Sequence, residues 1–167
     1  RGCAVGSNPD FSFRHEARVR ILLVNPNTSA QITDMLCSAA NKAAAPDVTI
    51  EGVTATRGVP YISTRTEEAI AAPVALEMLA AQGPGVDGAV IAAFGDPGLA
   101  AAKELFDFPV VGLAEASMLS ACLLGRQFGI ITFAHDLGDW YLDSVQRHHL
   151  DRRCAGIRSL NAPFRAV

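Results

Sequence analysis

Short runs of uninterrupted apolar residues alternate along this chain with segments of helical periodicity, and this alternation limits the fold more than any other feature. The first run, residues 20–24, is followed by the loop NPNTS and then by apolar residues that recur on one helical face. Strands that are apolar on both faces and alternate with helices are typical of a parallel sheet covered by helices on both sides. The sequence therefore predicts a doubly wound α/β fold with parallel sheets. We predict strands at residues 20–24, 48–53, 86–92, 109–113, 128–133 and 154–160, and helices after NPNTS and at residues 66–81, 97–106, 114–124 and 136–150.

Composition and charge exclude several classes of partner. The 14 basic side chains against 17 acidic ones, with no basic run longer than a pair, give no electrostatic footprint for nucleic acid. No apolar stretch approaches the roughly 20 residues of a membrane span, and no signal peptide is recognisable. We therefore expect a cytoplasmic protein that binds neither nucleic acid nor a membrane.

The sequence patterns of metal and cofactor sites are absent. The four cysteines have neither CxxC spacing nor a neighbouring histidine pair, which argues against a zinc site and against a disulfide framework. Residues 83–88 spell GxGxxG, but this stretch follows a helix and precedes a strand, the reverse of the order in a dinucleotide site. We therefore expect no metal and no cofactor. The cysteines, expected as reduced thiols, are Cys3, Cys37, Cys122 and Cys154.

The loops that follow the predicted strands form the candidate ligand site. Parallel strands place their carboxyl ends at one edge of the sheet, where ligands of doubly wound folds bind. The loops expected to meet there are residues 25–29, 57–64, 93–96 and 132–135. Two helix starts match the capping box, Thr28 with Gln31 and Thr64 with Glu67. Asp96 is the expected cap of the third helix.

Four stretches in this order, NPNTS, GVPYISTRTEEAI, VIAAFGDPGL and VVGLAEA, make the chain resemble the Asp/Glu/hydantoin racemase superfamily, most closely its hydantoin and allantoin racemase branch. The resemblance implies two similar α/β lobes facing a cleft, and a homo-oligomer. It also implies proton exchange beside a carbonyl of a small-molecule substrate, without metal or organic cofactor. On this basis we divide the chain into a tail at 1–17, a first lobe at 18–113, and a connecting helix with the incomplete start of a second lobe at 114–167.

The residue that the family uses as its first catalytic thiol is replaced here. In the family two thiols flank the substrate carbon, one removing the proton and the other donating one from the opposite face. The resemblance places the first thiol directly before FGDPG, where this chain has Ala93, and the second beyond residue 167. The leading hypothesis is a racemase acting on a hydantoin, an allantoin or an acidic amino acid. The alternatives are a decarboxylase or isomerase on the same fold, an engineered or degenerate site, and a binding protein that has lost catalysis.

Candidate substrate-binding residues lie in the same loops. The Asn25 and Asn27 amides suit a carboxylate or ureido group, although asparagines also stabilise turns. Gly95 would let a ligand approach the backbone N–H groups that stabilise an enolate oxygen, although a tight turn explains it equally. The catalytic residue is unknown. The complete set of substrate-binding candidates is Asn25, Asn27, Thr28, Tyr61, Ala93, Phe94, Gly95, Thr132 and Phe133.

Several other polar and aromatic residues have a structural interpretation. Arg65 would suit a substrate carboxylate through its planar guanidinium, but an exposed arginine at a helix start is the default. His135 stands near a helix start, which disfavours its cation. Glu115 is expected as a cap after the fourth strand. Residues expected on helix faces and the surface are Trp140, Tyr141, His148 and His149.

Overall fold

Six strands and five helices alternate in the residues that the computed structural model describes, 18–133 and 137–160. Every predicted element is present, and the differences are confined to element ends. No helix within this part of the chain is long and apolar enough to cross a membrane. The elements are β1 Val19–Asn25, α1 Ala30–Ala43, β2 Val48–Thr54, α2 Arg65–Gln82, β3 Gly88–Ile91, α3 Leu99–Leu105, β4 Val110–Gly112, α4 Leu113–Leu124, β5 Phe128–Thr132, α5 Leu137–Arg147 and β6 Cys154–Ser159.

Two parallel sheets organise these elements. The first has the strand order β2-β1-β3-β4, and every neighbouring pair in it is parallel. The second pairs β5 with β6, also in parallel. Parallel neighbours need a crossover connection, and a helix lies between each pair of consecutive strands. The prediction of a doubly wound α/β fold is confirmed.

The main core lies between the first sheet and helices α2 and α3. Leu22 and Val24 of β1 point to one face of the sheet and are fully buried with Ala75 and Leu79 of α2. Residues two apart on a strand share a face, so β1 supplies this core with every second side chain. Burial of each large aliphatic side chain contributes about 1.5–3 kcal/mol. The remaining members are Val86, Ala89, Ile91, Leu99, Ala102 and Val110.

Helix α1 packs on β2 through a thiol. A Cβ at Gly52 would lie 2.1 Å from Cys37 Sγ, so the glycine makes room for the cysteine. Burial and the Asp34 carboxylate raise the pKa of this thiol. Cys37 is therefore a packed, protonated thiol with no disulfide partner, and Cys122 and Cys154 are also free. Cys3 lies outside the described residues.

Ser29, and not Thr28, begins helix α1, which corrects the prediction. Ser29 has an extended backbone, and its hydroxyl accepts from the Ile32 N–H at 3.4 Å. The Thr28 N–H instead donates to the Val59 carbonyl at 3.0 Å, which holds Thr28 in the loop. The helix therefore starts one residue later than the capping-box match indicates.

The second capping-box prediction is confirmed. Thr64 Oγ1 accepts from the Glu67 N–H at 3.2 Å, and Glu67 Oε2 accepts from the Ser63 N–H and hydroxyl at 2.7 and 2.8 Å. Burial alone would raise the pKa of the Glu67 carboxyl, but the hydrogen bonds from Ser63 and Thr64 together lower it. The start of α2 is thus fixed by residues that are close in sequence.

The contribution of α2 to the core is testable by truncation. We expect Leu79→Ala to lower the free energy of unfolding by about 2–5 kcal/mol, because it leaves a cavity under the sheet. Leu123→Ala is the matched control, since Leu123 is a helical leucine that is 88% exposed, and its expected effect is within about 0.5 kcal/mol. Urea unfolding followed by circular dichroism measures both. Equal losses would contradict the position of the core.

Candidate active site

The crevice between the carboxyl ends of β1 and β3 is the ligand position that this topology favours. The strand order changes direction there, because β2 lies on one side of β1 and β3 on the other. Ligands of open parallel sheets bind at such a switch point. The Ala92 N–H donates to the Val24 carbonyl at 2.8 Å, so Asn25 and Ala93 leave the sheet side by side. The prediction that these two residues share one edge is confirmed.

The Asn25 side chain is fully buried and bonded within its own loop. Its Nδ2 donates to Asn27 Oδ1 and Thr33 Oγ1, both at 3.0 Å, and to the Ser29 carbonyl at 3.1 Å. Its Oδ1 accepts from the Asn27 N–H at 3.3 Å. These bonds engage both ends of the amide. Asn25 thus shapes the NPNTS loop, and its direct contact with a substrate stays a prediction.

Asn27 keeps a hydrogen-bond donor at this edge. Its Oδ1 accepts from Asn25 Nδ2 and from the Ser29 N–H at 2.9 Å, whereas its Nδ2 has no protein partner in residues 18–133 and 137–160. The residue is only 5% exposed. An amide whose oxygen is held in this way presents N–H groups and not an acceptor. Thr28, next to it, is exposed.

Ala93 borders an aromatic and aliphatic cluster that joins the two sheets. The adjacent Phe94 ring meets the Tyr141 ring of α5 edge to face, with 4.7 Å between centroids. The Tyr61 ring lies 5.7 Å from the Phe133 ring, beyond the end of β5. The structure thus brings together candidates from three loops. The buried members of this cluster are Ile62, Ala71, Leu137, Trp140 and Tyr141, against which Val59, Ala93, Phe94, Ile130, Phe133 and Ile157 pack.

Two phenols belong to this region, those of Tyr61 and Tyr141. Burial raises the pKa of Tyr61 to about 12, and the Tyr141 phenol adds to the effect. Burial also raises the pKa of Tyr141, although the Thr132 hydroxyl acts to lower it. Both phenols are therefore neutral at physiological pH. Tyr141 lies on the packed face of α5, with its ring buried against Phe94.

Trp140 packs directly on Gly95. A Cβ at Gly95 would lie 2.2 Å from Trp140 Cζ2, and the φ of 113° at Gly95 also favours glycine. The indole side chain is buried, with Trp140 2% exposed, which corrects its expected place on the surface. The close approach that Gly95 permits is thus used by an indole ring. A substrate contact of Gly95 stays a prediction.

Asp96 caps helix α4 and not α3, which corrects the prediction. Its buried carboxylate accepts from the Ala114 and Glu115 N–H groups, each at 2.8 Å. Gly112 makes room for it, since a Cβ there would lie 2.1 Å from Asp96 Cγ. Helix α3 begins later, at Leu99, without a side-chain cap. Asp96 has a left-handed φ of 56°, which is unusual for a residue other than glycine and differs from the extended backbone of a residue that caps the helix after it.

His148, directly after the end of α5, lies beside this carboxylate. Its Nε2 is 3.7 Å from Asp96 Oδ2, and its Nδ1 is 3.9 Å from Glu115 Oε1. Glu115 also accepts from Lys103 Nζ at 2.5 Å, so it is ion-paired and not the expected cap. The His148 side chain is 15% exposed, which corrects its expected place on the surface, whereas His149 is exposed as predicted.

The spacing along α5 contains the signal that would have identified these residues. The buried positions Leu137, Trp140, Tyr141, Ser144 and Val145 recur at three- and four-residue intervals, the pattern of a helix packed on one face. His148, one residue past the end of α5, lies four residues after Ser144. Trp140 and Ser144 widen the stripe formed by Leu137, Tyr141 and Val145, which is why Trp140 is buried.

Arg65 forms an ion pair with a side chain of helix α5. Its Nη2 and Nε donate to Asp143 Oδ2 of α5 at 2.6 and 3.0 Å, and both side chains are about half exposed. This ion pair explains Arg65 without a substrate. His135 lies outside the described residues. Among those that are described, no group of three or more His, Cys, Asp or Glu side chains is placed to hold a metal ion.

Two cavities lie away from the crevice. One, of about 420 Å³, is between α5 and β6, and the other, of about 480 Å³, is between β2 and α2. Neither is lined by Asn25, Asn27 or Ala93. Both border the outer strand of a sheet, where an uncovered edge leaves space in any open α/β fold. The switch point, and not cavity size, marks the candidate site.

The buried Asp96 carboxyl links stability to pH. Burial is the largest effect on it and raises its pKa above the ordinary 3.8, although the two amides and the His148 ring act to lower it. A raised pKa means that the folded state holds the proton more tightly than the unfolded state does. The resulting stability is fully present below the unfolded pKa and is lost as the pH rises through the folded pKa.

We expect Asp96→Asn to flatten this part of the pH dependence, because asparagine does not titrate. At neutral pH the variant should lose about 1–3 kcal/mol of unfolding free energy, since Asn can accept from only one of the two amides. Asp107→Asn, at an exposed position, is the control and should stay within about 0.5 kcal/mol of wild type. Urea unfolding at several acidic and neutral pH values measures both effects. A wild-type slope in Asp96→Asn would show that this carboxyl is not the titrating group.

Comparison with known proteins identifies relatives over nearly the same residues. A sequence model of the Asp/Glu/hydantoin racemase family matches residues 21–165. The chain is 34% identical to hydantoin racemase from Pseudomonas sp. (strain NS671) over 142 residues, which are 84% of this chain and 57% of that protein. It is also 34% identical to hydantoin racemase from Paenarthrobacter aurescens over 145 residues, 86% of this chain and 61% of that protein.

Solved structures agree with these relatives. The fold matches allantoin racemase from Klebsiella pneumoniae with a TM-score of 0.83 and 40% identity, covering 87% of this chain and 60% of that one. It matches allantoin racemase from Pseudomonas fluorescens with the same TM-score and 29% identity, covering 87% and 62%. The chain thus spans about 60% of the length of the proteins it matches. The match over residues 21–165 and these identities show that the chain belongs to the Asp/Glu/hydantoin racemase family.

Proposed function

We propose that the protein containing this chain binds a small amino-acid derivative of the hydantoin or allantoin type and exchanges the proton on the carbon beside its carbonyl. The observation that carries the proposal is the meeting of the NPNTS loop with residue 93 at the switch point of the sheet, in a chain of a racemase family. The neighbouring carbonyl acidifies the carbon-bound proton, and in our proposal, as the family resemblance implies, the reaction uses neither metal nor organic cofactor.

Charge that develops on the carbonyl oxygen needs a donor at the site. Removing the proton creates an enolate, which preorganised N–H or O–H groups stabilise most strongly where water is excluded. Asn27 supports this role because its Nδ2 has no hydrogen-bond partner among the described residues, whereas its Oδ1 accepts two hydrogen bonds within the loop. The rings of Phe94 and Phe133 support it by making the adjacent wall apolar.

Residue 93 supplies no base to this reaction. A methyl group takes no proton, and the Tyr61 and Tyr141 phenols, neutral at physiological pH, are donors. The Asp96 carboxylate is engaged by two amides of α4. In our proposal the acid–base thiol comes from the part of the protein beyond residue 167, as the family resemblance implies, and it serves one face of the substrate.

This one-sided arrangement favours a second candidate function. Racemisation needs a proton to leave one face and return to the other, whereas a decarboxylase of the same fold loses CO₂ and then needs only one acid to protonate one face of the resulting enediolate. Ala93 is the observation that favours this candidate. A third interpretation of Ala93 is that the protein binds its ligand without catalysing a reaction.

Deuterium incorporation from heavy water separates these functions in the full-length protein. A racemase with a base on each face exchanges the proton of both enantiomers of a substituted hydantoin or of allantoin, whereas a single thiol on one face exchanges the proton of one enantiomer only. A decarboxylase leaves both unchanged but releases CO₂ from a 2-substituted malonate and adds deuterium to one face of the product. A binding protein does neither, although it still gives a saturable binding isotherm.

Restoring a thiol at residue 93 tests the role of this position directly. We expect Ala93→Cys to raise proton exchange of at least one enantiomer by about 100-fold or more, because a thiolate then serves the face that lacks a base. Ala93→Ser is the matched control, since its hydroxyl has a similar size but does not ionise near neutral pH, and it should leave the rate unchanged. Exchange is followed by proton NMR in heavy water. Rapid exchange of both enantiomers by the wild type would show that another group already acts as the base.

A further inference from the structure

Two side chains, one from α5 and one from the turn directly after it, lie against the FGDPG loop, residues 94–98. Trp140 and Ser144 of α5 and the following His148 recur every fourth residue, and the His148 N–H still donates to the Ser144 carbonyl at 3.3 Å, so the three lie on one side of the chain. Trp140 covers Gly95, and His148 lies next to the Asp96 carboxylate. Three atoms on this side, Trp140 Nε1, Ser144 Oγ and His148 Nε2, are buried without a hydrogen-bond partner among the described residues. Of these three groups, only the imidazole can take up a proton and become positively charged.

Charged groups from several elements surround the imidazole. Its Nε2 faces Asp96 Oδ2 of the loop at 3.7 Å, and its Nδ1 faces Glu115 Oε1 of α4 at 3.9 Å. Lys103 of α3 is bonded to the same Glu115 oxygen, and Arg147 of α5 donates to the Gly95 carbonyl at 3.5 Å. A protonated ring is therefore held between the Asp96 and Glu115 carboxylates. In the described part of the chain, His148 is the only cationic group within 4 Å of the Asp96 carboxylate. A neutral ring loses this attraction.

The carboxylate that His148 meets is also the anchor of the loop. Asp96 bonds to the Ala114 and Glu115 amides and holds a left-handed backbone three residues after Ala93. A change in the charge of the imidazole therefore acts on the residue that fixes the loop to α4. The positive ring stabilises the ionised form of Asp96 and so the acceptor of both amide bonds.

We propose that His148 is a positioning residue for the loop that carries residue 93, because its imidazole, when protonated, holds the end of α5 on the Asp96 anchor. The coupling is then a property of the fold. Only its effect on catalysis rests on the proposed function. When the imidazole loses its proton as the pH rises, the loop passes from a more firmly held to a less firmly held state.

Amide resonances measure this coupling without any substrate. In the full-length protein we expect the Gly95, Ala114 and Glu115 amide signals to shift with the same midpoint as the His148 ring carbons in an NMR titration. Hydrogen exchange of the Ala114 and Glu115 amides, corrected for the intrinsic rate at each pH, should become about tenfold faster across that midpoint. Amides that do not follow the ring would overturn the proposal.

Two variants and a matched control make the assignment to His148 specific. His148→Gln is neutral at every pH, and His148→Lys is positive throughout the titration, so both should lose the amide transition at the wild-type ring midpoint. His149→Asn removes the adjacent exposed imidazole, and asparagine tolerates the φ of 57° found there, so it should keep the wild-type transition. If His148→Gln does not fold, His148→Lys and the wild-type titration decide. A transition retained in a folded His148 variant, or lost in His149→Asn, would overturn the proposal.

Catalysis provides the second arm of the experiment. The pH profile of proton exchange should contain an inflection at the His148 midpoint in wild type and in His149→Asn, and this inflection should be absent from a folded His148 variant. If it persists in that variant, His148 does not position the catalytic loop. If no variant exchanges protons while the amide transitions behave as expected, the proposed function fails and the positioning role stands.

Discussion

The hydrogen bonds from the Ala114 and Glu115 amides to the buried Asp96 carboxylate are the interaction on which the candidate site depends. They join the loop after β3 to the start of α4, two segments that are 18 residues apart in sequence. Bonds to an ionised acceptor contribute about 1.5–3 kcal/mol each, enough to hold one left-handed residue in place. Gly112 is part of the same arrangement, because any side chain there would occupy the volume of the carboxylate. Residue 93 is therefore positioned by a constraint that lies outside its own strand.

The described part of the crevice contains hydrogen-bond donors and apolar rings but no base. Asn27 offers N–H groups, the phenols of Tyr61 and Tyr141 are neutral, and apolar rings form one wall, so the edge suits a ligand with carbonyl oxygens. No described residue that touches this edge is suited to remove a proton from carbon. In the function proposed above, this edge binds and orients the ligand, and the group that moves the proton lies beyond residue 167.

Local patterns predicted the elements well, and contacts between distant residues account for the corrections. The apolar runs gave the strands because a strand buried on both faces leaves few other residue types, and the Thr64–Glu67 box was readable because its atoms lie within three residues. Thr28 was assigned wrongly because its N–H bonds to Val59, which belongs to another loop. Asp96 was assigned to the wrong helix for the same reason. The residues near Asp96 give no sign that its backbone is left-handed or that its carboxylate bonds to Ala114 and Glu115, which follow the next strand.

The packing of Trp140 on Gly95 has an optical consequence. Trp140 is the single tryptophan of this chain, and its indole is buried against the loop that carries the candidate site, beside the Tyr141 ring at 5.5 Å between centroids. An indole in an apolar setting emits at shorter wavelength than one in water, and its emission is quenched or shifted when neighbouring groups move. The fluorescence of this segment therefore comes from the contact between α5 and the FGDPG loop. The fold contains its own spectroscopic probe at the point where the two sheets meet.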